Sequence, residues 1–158
     1  MLMSAGRTSR LYKSLVRDKR LAADAGGFNG FPGNKYPNMF VFYGFTTPGH
    51  AANDLVDPIH TLIDQIKTED VSADDLQSVK TRVKAGLLRQ LDSNQGLAVQ
   101  LAQMQTLFGD WRELFRSVDK INAVTAADIK RVAASTFDPN NRTVGYIESA
   151  KAPAGGAK

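Results

Sequence analysis

The sequence predicts an α+β fold, a small and mostly antiparallel sheet packed by helices on one side. Three observations carry that prediction. Two short stretches, Ala22–Phe28 and Met39–Thr46, read as strands on either side of a turn rich in Gly, Pro and Asn. From Ala51 to Thr136 apolar residues recur at helical spacing, interrupted by capping residues and a glycine. A last β-favouring segment, Arg142–Glu148, follows the helices. With 158 residues the chain has the length of one domain. Such a domain buries about 70% of the surface its unfolded chain exposes.

The elements follow in order. Arg10 to Arg20 reads as an amphipathic helix, with Leu11, Tyr12, Leu15 and Val16 on the core side. Asn29-Gly30-Phe31-Pro32-Gly33-Asn34 supplies turn chemistry, because Gly permits positive φ and Pro fixes its own. Met39–Thr46 (MFVFYGFT) is apolar at both parities, which predicts a strand covered on both faces, with Gly44 marking a close approach. In this reading Phe40, Phe42, Tyr43 and Phe45 are core residues. A helix over 51–67 buries Leu55, Ile59, Leu62, Ile63 and Ile66, and Pro58 either kinks it or starts a second helix behind an Asp57 cap. Ser72 with Asp75 opens a long helix to Leu91, and Asp92-Ser93-Asn94 breaks it and caps the next. Gly109 stops that helix, a shorter one runs from Trp111 to Val118 with Trp111 packed between helices, and Thr125 with Asp128 caps a last one to Thr136. The fold predicted spans 1–149, and residues 150–158 (AKAPAGGAK) form a tail too small and polar to pack.

Composition excludes several classes. With 42% hydrophobic and 23% charged residues the chain is neither disordered nor built for a bilayer, and no apolar run approaches the ~18 residues a span needs. Met1-Leu2-Met3 is too short for a signal-peptide core. The absence of Cys excludes disulfides and thiolate zinc sites. It leaves the compartment open, so the expectation is a soluble protein, periplasmic or cytoplasmic.

Charge is concentrated at one end. Arg7 to Arg20 holds six basic residues and one acid, a local +5 in a chain of net +4, so the remainder is near neutral at −1. On an ideal α-helix Arg10, Lys13, Arg17 and Arg20 share a face. Such a stripe is either a solvated helix face or a contact for an anionic partner or a substrate backbone.

Catalytic constellations are scarce. The two histidines form His50/Asp54 and His60/Asp64 pairs at i,i+4, a spacing that serves capping and surface hydrogen bonds. A zinc site needs three or four converging ligands and, for catalysis, a base. Neither H-E-x-x-H nor H-x-x-E-H occurs, nor a G-x-S-x-G elbow, a thiol nucleophile, or a G-K-[ST] phosphate loop. No RNA-binding signature accompanies the aromatic run of the second strand, so nucleic acid is not a favoured partner.

Several stretches together resemble the pitrilysin and mitochondrial-processing-peptidase family, zinc peptidases that carry the inverted H-x-x-E-H motif. These are Ser4-Ala-Gly-Arg-Thr-Ser-Arg-Leu-Tyr12 with Leu15-Val-Arg-Asp-Lys-Arg-Leu-Ala22, then Met39-Phe-Val-Phe-Tyr-Gly-Phe45. Ser72-Ala-Asp-Asp-Leu76, Leu97-Ala-Val-Gln-Leu-Ala102 and Gly109-Asp-Trp111 follow, then Ile121 to Ala133 with Pro139-Asn-Asn-Arg-Thr-Val144. They occur in the family's order and cover Leu2 to Ser149.

The resemblance implies the second part of a non-catalytic C-terminal domain, a truncated form of the family's two-layer unit. Such domains close with a zinc-bearing one around an unfolded peptide. The chain itself is then expected to bind no cofactor and to be inactive alone, with zinc held by an upstream domain or a separate chain. Relatives offer an Arg and, seven positions on, a Tyr that hold the substrate. Arg17 matches the Arg, whereas Asp24 stands at the Tyr spacing, or Ala23 if one residue is deleted. Arg17 is therefore the candidate substrate-binding residue, without its usual tyrosine. The alternative function is an anion-binding or interaction module using Arg10, Lys13, Arg17 and Arg20. With only three strands expected, an open sheet edge also implies self-association.

Overall fold

The computed structural model describes residues 2–147. Ser9, buried, accepts the Tyr12 N–H on its hydroxyl at 3.3 Å and starts the first helix. After one α-helical step at Arg10 and Leu11 the backbone widens into a π-helix, Tyr12–Asp18, closed by the Lys19 N–H on the Ser14 carbonyl at 2.9 Å. Bonding from i to i+5 aligns Leu11 with both Leu15 and Val16. The two leucines are fully buried and Val16 packs against the core. The helix ends at Asp18, and Arg20 lies beyond it in the left-handed region at φ 56°.

The sheet has two antiparallel strands, β1 (Ala22–Phe31) and β2 (Met39–Thr46). β2 has the bounds expected. β1 runs three residues past Phe28 because pairing continues through Asn29 with Phe40 and Phe31 with Met39. Gly30 is the extra residue of that last step; its φ of 88° and the Asn34 side chain against it leave no room for a Cβ. A second irregularity sets Ala23 out of register between Ala22 and Asp24. The turn itself is therefore the loop from Pro32 to Asn38.

β2 is covered on one face only, contrary to the expectation from its apolar run. Phe40 and Phe42 stack with each other (centroids 4.7 Å) and against Phe137 (5.4 and 5.5 Å). Gly44 faces the same way and lets Leu55 approach: a Cβ there would lie 2.7 Å from the Leu55 Cδ1. Met39, Tyr43 and Phe45 alternate outward and are exposed.

The expected helix over 51–67 is split. A 3-10 turn, Ala52–Leu55, precedes α1 (Val56–Thr68). The Asp54 carboxylate accepts the Ala51 N–H at 2.9 Å and holds the turn. Leu55 occupies the cap position of α1 in place of Asp57, so Pro58 falls in the first turn. There its missing N–H has no intrahelical partner to lose, and no kink results.

Capping chemistry fixes the remaining helices. α2 (Ala73–Gln90) starts at Ser72, which accepts the Asp75 N–H at 3.1 Å. α3 (Asn94–Phe108) starts at Ser93 and stops at Gly109, φ 75°. α4 (Glu113–Ala123) begins after Trp111 and extends past Val118. Trp111 stays on the surface, edge-on to Phe115 with the Arg112 guanidinium 4.7 Å from its ring centre. α5 (Ala126–Thr136) carries the expected box: Thr125 accepts the Asp128 N–H at 3.1 Å and donates its own N–H to the Asp128 carboxylate at 3.0 Å.

The core gathers Met3, Leu11, Leu15, Ala22, Ala25, Leu55, Leu62, Ile66 and Ala133, with Phe42 and Phe137 at its margin. The π-helix, the hairpin, α1 and α5 build it. α2, α3 and α4 pack mainly on one another around the buried Leu114. Neither α2 nor α3 has a fully buried residue. Arg82 on α2 donates to Thr8 and ties this second group to the N-terminal turn.

The third strand expected over Arg142–Glu148 is not formed. Residues 142–147 run without ladder pairing, and Glu148 lies outside the described residues, as does the tail over 150–158. Thr143, Val144, Tyr146 and Ile147 have strand propensity, but propensity needs an edge to pair with. The Tyr146 hydroxyl instead donates to the Asn53 side-chain oxygen at 3.0 Å, beside the 3-10 turn. Among the described residues, no helix is long and apolar enough to cross a membrane.

The Asp128 carboxylate predicts an acid limit. Its bonds from the Thr125 hydroxyl and backbone N–H, and then from Arg131, lower its pKa from 3.8 to about 2. The folded value lies below the unfolded one, so the contribution is complete above 3.8 and disappears as pH falls through about 2. Urea midpoints measured across that window are expected to fall more steeply for the wild-type chain than for Asp128→Asn.

Candidate functional site

Arg17 sits in the last turn of the π-helix, pointing away from the core that Leu15 anchors. Its side chain grips the neighbouring carboxylate through two bonds, Nε to Asp18 Oδ1 at 2.6 Å and Nη2 to Oδ2 at 3.1 Å. Both side chains are more than half exposed. The hydrogen bond from Arg17, followed by its charge, holds the Asp18 carboxyl below the usual aspartate range, and the same pairing raises the guanidinium. A fork of this kind still offers the remaining N–H groups, so Arg17 retains donors for a carbonyl or carboxylate oxygen.

The partner positions differ from each other. Ala23 is the out-of-register residue at the start of β1 and has no polar group to offer. Asp24 is exposed and pairs across the sheet with Phe45. Neither carries a phenol, so the polar groups of the site are Arg17 and its bonded Asp18, with the Lys13 charge near enough to act on that carboxylate.

The four-residue basic face is not assembled. Arg10 and Lys13 are half-buried, Arg17 is engaged by Asp18, and Arg20 lies outside the helix with left-handed backbone. The change from α to π spacing and the stop at Asp18 dissolve the alignment that 100° steps suggested. His50 Nδ1 stands 3.7 Å from the Asp54 carboxylate at the surface, where Asp54 already accepts the Ala51 N–H. Among the described residues, no three His, Asp or Glu side chains gather as a metal cluster would require.

The sequence reading missed the outer face of the hairpin, where Phe28, Phe31, Met39, Tyr43 and Phe45 are exposed together. A signal was present in β1: Ala22 to Gly27 has no bulky side chain, so nothing on that strand covers the outward aromatics of β2.

Comparison with known proteins gives this geometry a context. Residues 1–83 match the model of the peptidase M16 inactive domain. Mitochondrial cytochrome b-c1 complex subunit 2 of Rattus norvegicus is 23% identical over 127 residues, 80% of this chain and 27% of that protein. A protease from Helicobacter pylori superposes with a TM-score of 0.77 at 25% identity, over 87% of this chain and 32% of that one. The inactive peptidase domain of a Bordetella parapertussis protein assigned as a zinc protease gives 0.81 at 21% identity, over 96% and 81%. The chain thus spans about a quarter of the rat subunit and about a third of the Helicobacter protease.

Proposed function

We infer the role of this chain from its family: it belongs to the M16 peptidases, in the class of their inactive domains. Its work is to bind and enclose rather than to cut. It pairs with a zinc-bearing peptidase domain, on the same polypeptide or a separate one, and forms the opposite wall around an unfolded peptide. Zinc and the water it activates belong to that partner. Arg17 supplies a charge-assisted hydrogen bond to a backbone carbonyl or carboxylate of the peptide. Because no phenol stands at the position seven residues on, Arg17 serves in holding the substrate.

The observation that carries this reading is the match to the inactive domain over 1–83, in a fold shared with the Bordetella domain over nearly the whole chain. The test mixes the purified chain with the zinc-bearing M16 domain produced alongside it, using a quenched fluorescent, unfolded peptide. Neither component alone is expected to cleave efficiently, and the mixture is expected to do so. Stoichiometric zinc on the isolated chain, with chelator-sensitive cleavage, would overturn the reading. So would a partner domain whose rate is indifferent to the chain.

A further inference from the structure

We propose that Asn29 is a self-modifying residue, whose side-chain amide is lost to water through a cyclic imide formed with the Gly30 backbone nitrogen. Asn29 is the one asparagine of the sequence that is followed by glycine. The place of this pair in the hairpin is what opens the reaction to the folded chain.

Several features of the fold converge there. Asn29 pairs with Phe40 and is exposed. The register then slips: Phe31 pairs with Met39, and Gly30 stands opposite no residue. A bulge of this kind leaves its extra residue out of the ladder and disrupts the bonding around it. Gly30 has φ 88°, and a Cβ there would run into the Asn34 side-chain oxygen. The fold thus holds position 30 to glycine, the residue that crowds an approach to its own nitrogen least. Extended backbone at Asn29 turns the carboxamide away from the following nitrogen, so its ψ must rotate before the two can meet. In mid-sheet that rotation would break pairing on both sides. Beyond Asn29 the ladder holds only Phe31–Met39 before the loop over 32–38, so a local opening of the hairpin end is enough.

The chemistry needs only water and hydroxide. Hydroxide takes the Gly30 N–H proton, and the nitrogen attacks the Asn29 Cγ. The N–Cγ bond forms and the Cγ–Nδ2 bond breaks, with Nδ2 taking a proton from water and leaving as ammonia. Water then opens the imide, adding its hydroxyl to a carbonyl carbon and its proton to the nitrogen. Cleavage at Cγ leaves aspartate at position 29. Cleavage at the main-chain carbonyl carbon leaves isoaspartate, in which the chain runs through the side-chain carbons. Nothing is oxidised or reduced. Either product lowers the formal net charge of +4 by one and sets a carboxylate on the Phe40 side of the hairpin. Isoaspartate also lengthens β1 by one backbone atom, which takes Phe31 out of register with Met39.

The experiment holds the full chain for days in mildly alkaline buffer and maps its peptides by mass spectrometry. Replacing an amide NH by oxygen adds about one dalton, and this gain is expected at Asn29 ahead of every other asparagine, in two chromatographically distinct products. The rate is expected to rise in proportion to hydroxide and to lie within about tenfold of that of a free peptide spanning residues 26–33. Asn29→Gln, whose longer side chain closes the ring poorly, is expected to abolish the gain while leaving circular dichroism unchanged. A folded chain that reacts more slowly than this while the free peptide converts would overturn the proposal, because the strand would then shield the pair. So would conversion spread evenly over Asn29, Asn34 and Asn38. A rate that climbs steeply with urea below the unfolding transition would overturn it as well, assigning the reaction to the globally unfolded chain.

Discussion

Replacing Leu15 with alanine is expected to lower the unfolding free energy by about 3 kcal/mol, within the 2–5 kcal/mol span of such core truncations. Leu15 is fully buried and shares one core cluster with Leu11, Ala22 and Ala25. Leu11, Leu15 and Val16 all reach that cluster, so removing the central side chain takes away the contact that fastens the first helix to the core. The loss is a large fraction of the 5–15 kcal/mol available to a domain. Urea unfolding followed by circular dichroism measures it, and a change under about 1 kcal/mol would show that the helix is held by something other than this packing.

Substitutions at Arg17 and Asp18 are expected to have unequal effects on peptide cleavage in the reconstituted pair, a loss at the first and none at the second. Arg17→Ala removes a charge-assisted donor, worth about 1.5–3 kcal/mol at a desolvated contact, and lowers kcat/KM by about 10- to 100-fold. Asp18→Asn removes the carboxylate that now occupies the Nε and Nη2 edge of the guanidinium, and raises kcat/KM or leaves it unchanged. A purely structural ion pair would give a shared loss instead, with both variants losing activity in parallel with stability. Steady-state kinetics with a single unfolded peptide separates the two, and Arg17→Lys distinguishes a need for charge from a need for the planar fork.

Local chemistry was the legible part of this chain. Ser72, Ser93, Thr125 and Gly109 mark helix ends because a side-chain oxygen or a left-handed residue acts on its immediate neighbours. The α+β class and the bounds of β2 follow from the same short-range signals. What depends on a distant partner was not legible. MFVFYGFT does not say that only one of its faces will meet a helix, and RTVGYI does not say that no strand edge will lie beside it. The first helix falls between these cases: its core leucines follow from spacing, while its i to i+5 bonding does not, because both windings bury Leu11 and Leu15. Arg17 could be picked out, but its grip on Asp18 could not, since adjacent residues on a regular helix do not face each other. That pair forms where the helix ends.

The division of the helices into two packing groups has a consequence in time. α2 and α3, with no fully buried side chain, bond mainly within their own group, Lys80 and Lys84 to Asn122 on α4, and reach the N-terminal turn through Arg82 to Thr8, so they hold little of the free energy that keeps the hairpin, the π-helix, α1 and α5 together. Opening of such a unit is cheaper than global unfolding and therefore far more frequent. Amide hydrogens along α2 and α3 should exchange with solvent while those of β1 and β2 remain protected, so the molecule breathes at its helical layer and keeps its sheet still.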